Sequence, residues 1–364
     1  GLIDSGSNCD IVTEEFFLDE AEVQATDPSQ RLLLTATLAA ATRAGLLGSA
    51  TAMLLGICNM ADWQQLRRDA GSQTGVFSAH GSDGGAAAGR VSYLFGLKGP
   101  CFSVNTACSS SLVALDTACQ NLRLHTCQSA LVAGAALHLH AGSFGAFCAL
   151  HALSADGMCK TFDRRADGYG RSEACGILLL QQMDGASAFV AVKGTATNQD
   201  GRSSSFMAPS GTSQQEEVQA AMLLAQCSGL DSVEAHGTGT ALGDPIEVGA
   251  LQTVLRAGSA VVLGAIKSQM AHSEGAAGMA GLVKAVETLR NQWSSPSLHL
   301  QQCNPKLDLE GTSWLLGSQA ASVAQKSVLW MGVSSFGYSG TNGHAVLQCA
   351  GVDCLRAMAA TTAT

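Results

Sequence analysis

The stretch PCFSVNTACSSSLVALDTACQNLRL, residues 100–124, decides the fold class. Its first part, up to Asn105, is a short apolar segment typical of a strand, and the remainder has helical spacing. One face of the predicted helix carries Leu112, Leu115, Cys119 and Leu122. Cys108 lies between the two elements, so the sequence predicts a strand–turn–helix unit with a thiol at its turn.

Outside this stretch, apolar strands and amphipathic helices alternate along the chain. Strand-like segments include SALVAGAAL, GILLLQQM, AFVAVKGTAT, AVVLGAIKS and VLWMGVSSFG. Helical segments include QQEEVQAAMLLAQC, DPIEVGALQTVL and GAAGMAGLVKAVETLRN. This alternation predicts an α/β fold whose strands are buried on both faces. Because no Pro/Ser-rich linker divides the chain, we expect one large domain over residues 1–350 and an irregular tail over residues 351–364.

The region before residue 100 is less regular. Asp27 and Pro28 form a helix-start signal, and the helix that follows is predicted to end at Gly45. Residues 46–62 show no clear period, and residues 81–89, GSDGGAAAG, are predicted to form a flexible loop. The glycine spacing of that loop is similar to a phosphate-binding loop, but the Lys-Ser/Thr pair that nucleotide binding needs does not follow it.

The composition excludes several classes of protein. Hydrophobic residues make up 46% of the chain and charged residues 13%, which is the reverse of a disordered chain. The net charge of −9 argues against binding to a nucleic-acid backbone. The longest apolar stretches, such as Ser129–Leu137, end well short of the ~20 residues of a membrane span.

The 13 cysteines form no Cys-x-x-Cys pair and no Cys/His cluster with zinc spacing, so we expect no metal site. Several lie in apolar runs, including Cys119, Cys148 and Cys227. This pattern predicts reduced core thiols and a cytoplasmic location. The sequence also begins with no recognisable signal peptide or transit segment.

Cys108 has the surroundings of a reactive thiol. A thiol at a helix N-terminus lies at the positive end of the helix dipole, which lowers its pKa and favours the thiolate. Its neighbours Thr106, Ala107 and Ser109 are small, and its own backbone N–H is available to hold an oxyanion. Taken by itself, however, this cysteine is explained better as a buried structural residue.

Two histidines and a lysine follow other predicted strands. His236 ends the strand SVEAH, Lys267 directly follows AVVLGAI, and His272 comes five residues later. Sites in α/β proteins are usually built at the carboxyl ends of strands. These residues could therefore converge on the cysteine, which is the layout of nucleophilic acyl transfer. A loop histidine bonded to nearby backbone is an equal explanation for His236 alone.

Glycines have positional meaning in two further segments. Gly275, Gly278 and Gly281 lie on one face of the helix that begins near Glu274, where they permit very close packing. The loop GYSGTNG, residues 337–343, lies between two apolar strands, and its glycines allow a substrate to approach the backbone. An ordinary hairpin turn explains this loop equally well.

Four segments together resemble the characteristic motifs of β-ketoacyl synthases. They are NTACSSSLVAL, VEAHGTGT followed by GDPIEVGAL, KSQMAHSEGAAGMAGLVK, and GVSSFGYSGTNGHAVL. The segments stand in the family order, and the resemblance covers residues 27–347. It is strongest to the ketosynthase domains of polyketide synthases, and it implies a role in polyketide or fatty acid biosynthesis.

The resemblance implies a thiolase-like fold, an αβαβα sandwich of two similar halves, each with a five-stranded mixed sheet. The halves here would cover about residues 1–184 and 185–350 and join near Asp184. The apolar first strand of that fold is missing from this sequence, and residues 46–89 are shorter than usual. Loss of a strand exposes the edge and the apolar face of its neighbour, so we expect reduced stability.

The resemblance also implies roles for the main site residues. Cys108 would accept an acyl chain from a phosphopantetheine thioester of an acyl carrier protein or of coenzyme A. His236 and His272 would donate hydrogen bonds to a malonyl-type thioester as it loses carbon dioxide, and Lys267 would orient them. The carbanion would then attack the acyl-Cys108 thioester in a decarboxylative Claisen condensation. This chemistry requires neither a bound metal nor a redox cofactor.

The same resemblance implies supporting roles for other residues. Tyr338 would supply an oxyanion N–H and, with Phe336, gate the acyl pocket. The substrate-binding residues would be Thr238, Thr240, Gly340, Thr341 and Asn342. The partners would be a second copy of the chain, joined edge to edge by the strand before Cys108, and neighbouring polyketide synthase domains.

The sequence departs from the family pattern at Asn105, Ala174, Tyr338 and Ser339. These changes leave Cys108 and the histidines intact, so they bear on rate and chain specificity. Two alternatives to an active condensing enzyme remain open. One is an impaired, truncated ketosynthase that serves as a scaffold or dimerisation domain. The other is a decarboxylating or chain-length partner protein, or a different thiolase-fold acyltransferase.

Overall fold

The computed structural model describes residues 16, 18–183, 189–255, 260–319, 321–323 and 328–350. These residues form two compact units. The first holds the described residues up to Leu150, with Ser172–Gln182 and Ser273–Met279. The second holds His151–Arg171, Met183–His272 and the described residues from Ala280 onward.

The predicted junction near Asp184 and the predicted tail over 351–364 lie outside the described residues. The prediction of one domain with halves divided at that junction stays a prediction. Among the residues that the structure describes, no helix has both the length and the hydropathy that a membrane crossing needs.

The first unit is built on a four-stranded sheet. Its strands are β1 (Thr51–Ile57), β2 (Cys101–Val104), β3 (Ser129–Ala136) and β4 (Ala174–Gln181). They lie in the order β2-β1-β3-β4, with β1 parallel to both neighbours and β4 antiparallel to β3. The accompanying helices are α1 (Glu20–Ala25), α2 (Pro28–Ala44), α3 (Met60–Asp69), α4 (Ser78–Gly81), α5 (Gly84–Phe95), α6 (Ser110–Arg123) and α7 (Ala141–Ala149).

The helix-start signal at Asp27 is confirmed. The Asp27 carboxylate accepts a 2.6 Å hydrogen bond from the Ser29 N–H, and α2 ends at Gly45, whose φ is 64°. Strand β1, in contrast, lies in the region where the sequence shows no period. All seven of its residues are buried, because it pairs on both edges and both of its faces are covered. A strand buried in this way has no polar alternation to reveal it.

The predicted loop over residues 81–89 is wrong, because α5 begins at Gly84. The Asp83 carboxylate accepts the Ala86 N–H at 2.9 Å, which caps the helix. The alanines that follow favour the helix strongly enough to outweigh the two glycines of its first turn. The prediction of core thiols is also wrong in part: Cys119 is buried, but Cys148 is exposed on α7 and Cys227 is half-buried.

The second unit is built on a six-stranded sheet. Its strands are β5 (Val190–Gln199), β6 (Ser232–Glu234), β7 (Val262–Gly264), β9 (Leu315–Leu316), β11 (Val328–Phe336) and β12 (Thr341–Ala350). They lie in the order β5-β12-β11-β6-β7-β9. A separate two-stranded sheet is formed by β8 (Trp293–Ser294) and β10 (Ala321–Ser322). The remaining helices are α8 (Gly211–Leu224), α9 (Gly243–Val254), α10 (Lys267–Met270) and α11 (Ala277–Asn291).

The expectation of five strands in each half is therefore wrong for the described residues, which have four in one sheet and six in the other. The two-residue strand β9 extends the second sheet by pairing with the edge of β7. The predicted loop over 337–343 is also too long. Strands β11 and β12 pair as far as Phe336 and Asn342, so only residues 337–340 form the hairpin turn.

The close packing predicted for the glycine face is confirmed within the first unit. A Cβ at Gly275 would lie 2.9 Å from the Cys58 sulfur, and one at Gly278 would lie 2.7 Å from Leu112 Cγ. Cβ atoms are not found this close to other heavy atoms, so these glycines let the chain around the start of α11 approach α6 and the residue that follows β1.

Candidate active site

Cys108 lies buried at the turn between β2 and α6. Serine hydroxyls hold this turn. The Ser110 hydroxyl accepts the Thr106 N–H at 2.9 Å and donates to the Ala107 carbonyl at 2.6 Å. The Ser109 hydroxyl donates to the Thr106 carbonyl at 2.9 Å. Small hydroxyl side chains therefore satisfy the polar backbone of a buried turn while adding no charge to it.

The backbone just before the thiol has an unusual conformation. Ala107 has a φ of +55°, in the left-handed region that favours glycine. Its N–H donates to the Asn105 side-chain oxygen at 3.1 Å, which helps to hold this conformation. Asn105 is one of the departures from the family pattern, and its side-chain oxygen has a clear local use. An aspartate oxygen would accept the same hydrogen bond.

His236 follows β6 and is held by a buried carboxylate that the sequence analysis did not select. Glu247 on α9 accepts the His236 N–H at 2.7 Å and the Gly237 N–H at 2.9 Å. Burial raises the pKa of Glu247 to about 7, although the two N–H donors act in the opposite direction. The signal for it was present in the segment GDPIEV, where acidic residues at the start of an apolar helix follow the histidine loop.

Asp244 supports the same loop. It is buried, and its carboxylate accepts the Phe162 N–H at 2.8 Å and the Gly239 N–H at 3.0 Å. Burial raises the pKa of Asp244 to about 6. Asp244 and Glu247 lie three residues apart on α9, so one turn of this helix fixes the backbone of the His236 loop.

The imidazole of His236 is neutral, and its tautomer follows from one hydrogen bond. The Phe336 N–H donates to His236 Nδ1 at 3.3 Å, so the ring proton lies on Nε2. Burial, the Lys267 charge and His272 together hold the pKa of His236 well below 6.5. A neutral ring with its proton on Nε2 is a hydrogen-bond donor whose other nitrogen is already occupied.

His272 lies against His236 in the second unit. The centroids of the two rings are 5.4 Å apart, and the rings meet edge to face at 85°. The Tyr169 ring also packs against His272, with a centroid distance of 4.9 Å. The His272 N–H donates to the Gly170 carbonyl at 2.8 Å, which ties the backbone of the histidine in place.

The residue before His272 also has an unusual backbone. Ala271 has a φ of 63° and a ψ of −168°, a region that is populated almost only by glycine. Lys267 begins the short helix α10 that leads to this residue, and it is 3% exposed. Its charge is one of the causes that lower the pKa of His236, and its predicted role in orienting the histidines stays a prediction.

The predicted substrate-binding residues make hydrogen bonds within the second unit. The hydroxyls of Thr238 and Thr240 lie 3.2 Å apart, and Thr240 accepts the Gly243 N–H at 3.1 Å. Asn342 is buried in β12, and its amide donates to Asp200 at 2.8 Å and to the Asn198 side chain at 3.0 Å. Their roles in binding a substrate stay predictions.

The hairpin turn holds the other predicted binding and gating residues. Gly340 has a φ of +89°, and its carbonyl accepts the Asp200 N–H at 2.8 Å. Thr341 begins β12, and its carbonyl accepts the Gly337 N–H at 2.8 Å. The Phe336 ring lies 5.5 Å from the His236 ring, whereas the Tyr338 side chain is 45% exposed. The gating and oxyanion roles stay predictions.

Comparison with protein families decides the identity of the chain. The description "Beta-ketoacyl synthase, N-terminal domain" matches residues 6–186, and "Beta-ketoacyl synthase, C-terminal domain" matches residues 189–301. The chain belongs to the β-ketoacyl synthase family. The predicted family, and with it the thiolase-like fold class and the assignment as an acyl-transferring enzyme, are confirmed.

Similar proteins narrow the assignment to ketosynthase domains of polyketide synthases. One phenolphthiocerol/phthiocerol polyketide synthase polypeptide of Mycobacterium tuberculosis is 39% identical over 93% of this chain. Erythronolide synthase EryA3 of Saccharopolyspora erythraea is 38% identical over 92% of it. The chain spans only 19% and 11% of the lengths of these two relatives.

Solved ketosynthase structures share the fold. A ketosynthase from module 6 of the bacillaene synthase from Bacillus subtilis 168 is 30% identical with a TM-score of 0.86, over 96% of this chain and 64% of that chain. The oxazolomycin ketosynthase domain OzmH KS7 of Streptomyces albus JA3453 is 31% identical with a TM-score of 0.85, over 93% of this chain and 62% of that chain.

Proposed function

We propose that this ketosynthase domain catalyses decarboxylative condensation of a malonyl-type thioester with an acyl chain held on Cys108. The thiolate of Cys108 displaces the carrier thiol and forms an acyl thioester. The malonyl carboxylate leaves as carbon dioxide, and the resulting enolate carbon attacks the acyl carbonyl. Collapse of that intermediate releases the Cys108 thiolate and a β-ketoacyl thioester.

The pairing of His236 and His272 is the observation that carries this proposal. Decarboxylation places negative charge on the thioester oxygen, and two hydrogen-bond donors stabilise that charge best when they are fixed in advance. The His236 ring is neutral and carries its proton on Nε2 because Phe336 occupies Nδ1. Such a ring donates a hydrogen bond and does not act as the base for a thiol.

Lys267 and the hairpin turn complete the proposed mechanism. Lys267 would keep the two histidines neutral and would orient their rings. The backbone N–H groups of Cys108 and Tyr338 would hold the oxyanion of the tetrahedral intermediate, and Phe336 would gate the acyl pocket. Thr238 and Thr240 would bind the pantetheine amides, with Gly340, Thr341 and Asn342 lining the substrate path. The intact thiol and histidines favour this reaction over a scaffold role.

Product analysis tests the reaction directly. Purified protein is incubated with an acyl thioester and a malonyl thioester of pantetheine, and the products are separated by liquid chromatography with mass detection. We expect a β-ketoacyl thioester and one carbon dioxide for each product. Carbon dioxide release without any β-ketoacyl product from the wild-type chain would contradict condensation and favour a purely decarboxylating protein.

The partners follow from the same proposal. An acyl carrier protein or coenzyme A would deliver both substrates on phosphopantetheine, in the cytoplasm, and neighbouring synthase domains would share the carrier. Strand β2 is an edge of its sheet, and its residues Cys101 and Phe102 are exposed. An exposed apolar edge favours pairing with a second copy of the chain. Light scattering tests the homodimer, and a stable monomer at micromolar concentration with Cys108 still acylated would contradict it.

A further inference from the structure

A buried ion pair in the second unit includes the last residue of the strand that leads to His236. Glu234, the last residue of β6, is 1% exposed, and its Oε2 lies 2.7 Å from Lys284 Nζ on α11. The Lys284 side chain is only 7% exposed. Neither charge lies at the protein surface, where an ion pair would have little effect on structure or stability.

The second oxygen of the same carboxylate contacts another element. Glu234 Oε1 accepts the backbone N–H of Ile266 at 2.5 Å. Ile266 directly precedes Lys267, and Glu234 comes two residues before His236. One carboxylate thus joins the strand that leads to His236, the turn that carries Lys267, and helix α11.

The pair is also closely packed. A Cβ at Gly281 would lie 3.4 Å from Glu234 Cγ, and a Cβ at Gly264 would lie 3.3 Å from Lys284 Nζ. The two glycines therefore lie next to the charged side chains. The carboxylate accepts the Ile266 N–H and so ties that residue to the end of β6.

General energetics argue that stability is not the main contribution of this pair. Desolvation of two charges offsets much of their attraction, and apolar replacements of a buried ion pair are often neutral or stabilising. A fixed acceptor for a backbone N–H is different, because an apolar side chain cannot replace it. The contacts of this pair therefore indicate that it fixes the position of Ile266 more than it stabilises the fold.

We infer that Glu234 and Lys284 form a positioning pair. The pair holds the turn at Ile266 and Lys267, here called the Lys267 turn, at a fixed position relative to His236. This inference rests on the proposed function, because it assigns the pair to the malonyl half of the reaction. Loss of the acceptor at Glu234 lets the Lys267 turn shift away from the His236 ring. Decarboxylation then slows, whereas transfer of the acyl chain to Cys108 does not.

Two double variants separate the acceptor from the charges. Glu234→Gln/Lys284→Met removes both charges but keeps an oxygen that accepts the Ile266 N–H. Glu234→Met/Lys284→Met removes both charges and the acceptor, with side chains of similar volume. We expect kcat for malonyl decarboxylation to fall less than about threefold in the first and up to about 10²-fold in the second, because displacement by ~1 Å has this effect on catalytic geometry. Acylation of Cys108 and KM should change less than threefold in both.

Histidine titration by NMR gives a readout that does not depend on activity. In the wild type, burial, Lys267 and His272 hold the pKa of His236 well below 6.5. We expect this pKa to stay low in the variant that keeps the acceptor and to rise towards 6.5 in the variant that lacks it. Equal His236 titration in the two variants would overturn the positioning role.

The two readouts also separate this inference from the proposed function. If the wild-type chain does not decarboxylate malonyl thioesters, the proposed function fails, and the titration still decides the positioning role. If the apolar double variant does not fold, Glu234→Asp replaces it, since its carboxylate is one methylene too short to reach Ile266 and Lys284 together. Wild-type decarboxylation and His236 titration in Glu234→Asp would then overturn the inference.

Discussion

Different kinds of side chain hold the turn that carries Cys108 and the region that carries the two histidines. The cysteine turn is held by the hydroxyls of Thr106, Ser109 and Ser110, which are neutral. The histidine region is held by buried carboxyl groups, chiefly those of Glu247 and Glu234. A nucleophile that forms a neutral thioester needs only a rigid turn. Stabilisation of an enolate needs donors whose protonation is fixed, and burial, together with the Lys267 charge and His272, keeps the His236 ring neutral.

The two regions also share one feature to different degrees. An alanine with positive φ precedes two of the predicted catalytic residues, namely Ala107 before Cys108 and Ala271 before His272. Ala271 has the more strained conformation, because its ψ of −168° lies where side chains are almost never found. Strain at a functional residue persists only where the surrounding structure holds it in place. At Ala271 this support includes two backbone hydrogen bonds, from the Ala271 N–H to the Lys267 carbonyl at 2.9 Å and from the His272 N–H to the Gly170 carbonyl at 2.8 Å.

The largest expected effect comes from removing the thiol. Cys108→Ala should abolish acyl loading and condensation, because no other group can hold the acyl chain. Some malonyl decarboxylation should remain, since the two histidines are intact. Separate assays of acyl transfer and carbon dioxide release test this. Continued formation of the β-ketoacyl product would show that the nucleophile has been assigned wrongly.

Removing either histidine should give the converse result. His236→Ala and His272→Ala should each lower decarboxylation by ~10²–10³, the usual cost of one donor to a developing oxyanion. Acylation of Cys108 should be affected much less, because the neutral His236 ring does not act as the base for the thiol. Equal losses in the two half-reactions would instead make a histidine that base and remove the contrast between the regions.

The contrast between charges and hydroxyls predicts different pH responses. Burial raises the pKa of Glu247 from 4.5 to about 7. Its contribution to stability is therefore fully present below pH 4.5 and is lost as the pH rises through 7, with a slope of about 1.4 kcal/mol per pH unit. Urea unfolding of wild type and Glu247→Gln from pH 4 to 8 should show this slope in their difference.

Ser110→Ala supplies the matched control in the cysteine turn. It leaves the partly buried Thr106 N–H without its acceptor and should cost about 1 kcal/mol of unfolding free energy. Because no charge is involved, its cost should be the same across the pH range. A pH-dependent cost for Ser110→Ala, or a constant one for Glu247→Gln, would contradict the division between the regions.

The smallest expected effects concern the strained alanines. Relief of strain at Ala271 should contribute about 1–3 kcal/mol, whereas glycine costs about 0.4–1 kcal/mol through the unfolded chain. Ala271→Gly should therefore raise the free energy of unfolding by about 1 kcal/mol, and Ala107→Gly should be close to neutral. Denaturant melts of the two variants measure the difference. Equal effects would show that the two turns are equally strained.

The sequence predicted the parts of the molecule that depend on local patterns. Helix α6 follows from its apolar spacing, α2 from Asp27 and Gly45, and the family from four motifs in order. Strand β1 could not be predicted because burial on both faces removes the alternation that marks a strand. The sequence predicts a loop where helix α5 begins, because glycines dominate the composition of residues 81–89.

Within the predicted site, sequence motifs singled out Cys108, His236, His272 and Lys267 but not the residues that hold them. Glu247 and Glu234 are ordinary acidic residues in sequence. Their roles arise only when the fold brings α9 to the His236 loop and the Ile266 turn to β6. Hydrogen bonds between residues distant in sequence leave no periodic trace, so these positions became visible only in three dimensions.

A single-turnover chase followed by mass spectrometry tests the central claim most directly. The chain is first acylated with a thioester, and the tryptic peptide Gly99–Arg123, which contains Cys101, Cys108 and Cys119, is fragmented to locate the acyl group. We predict acylation at Cys108, and loss of that acyl group in step with formation of the β-ketoacyl product when malonyl thioester is added. An acyl group on another cysteine, or one on Cys108 that malonyl thioester does not remove, would contradict the account.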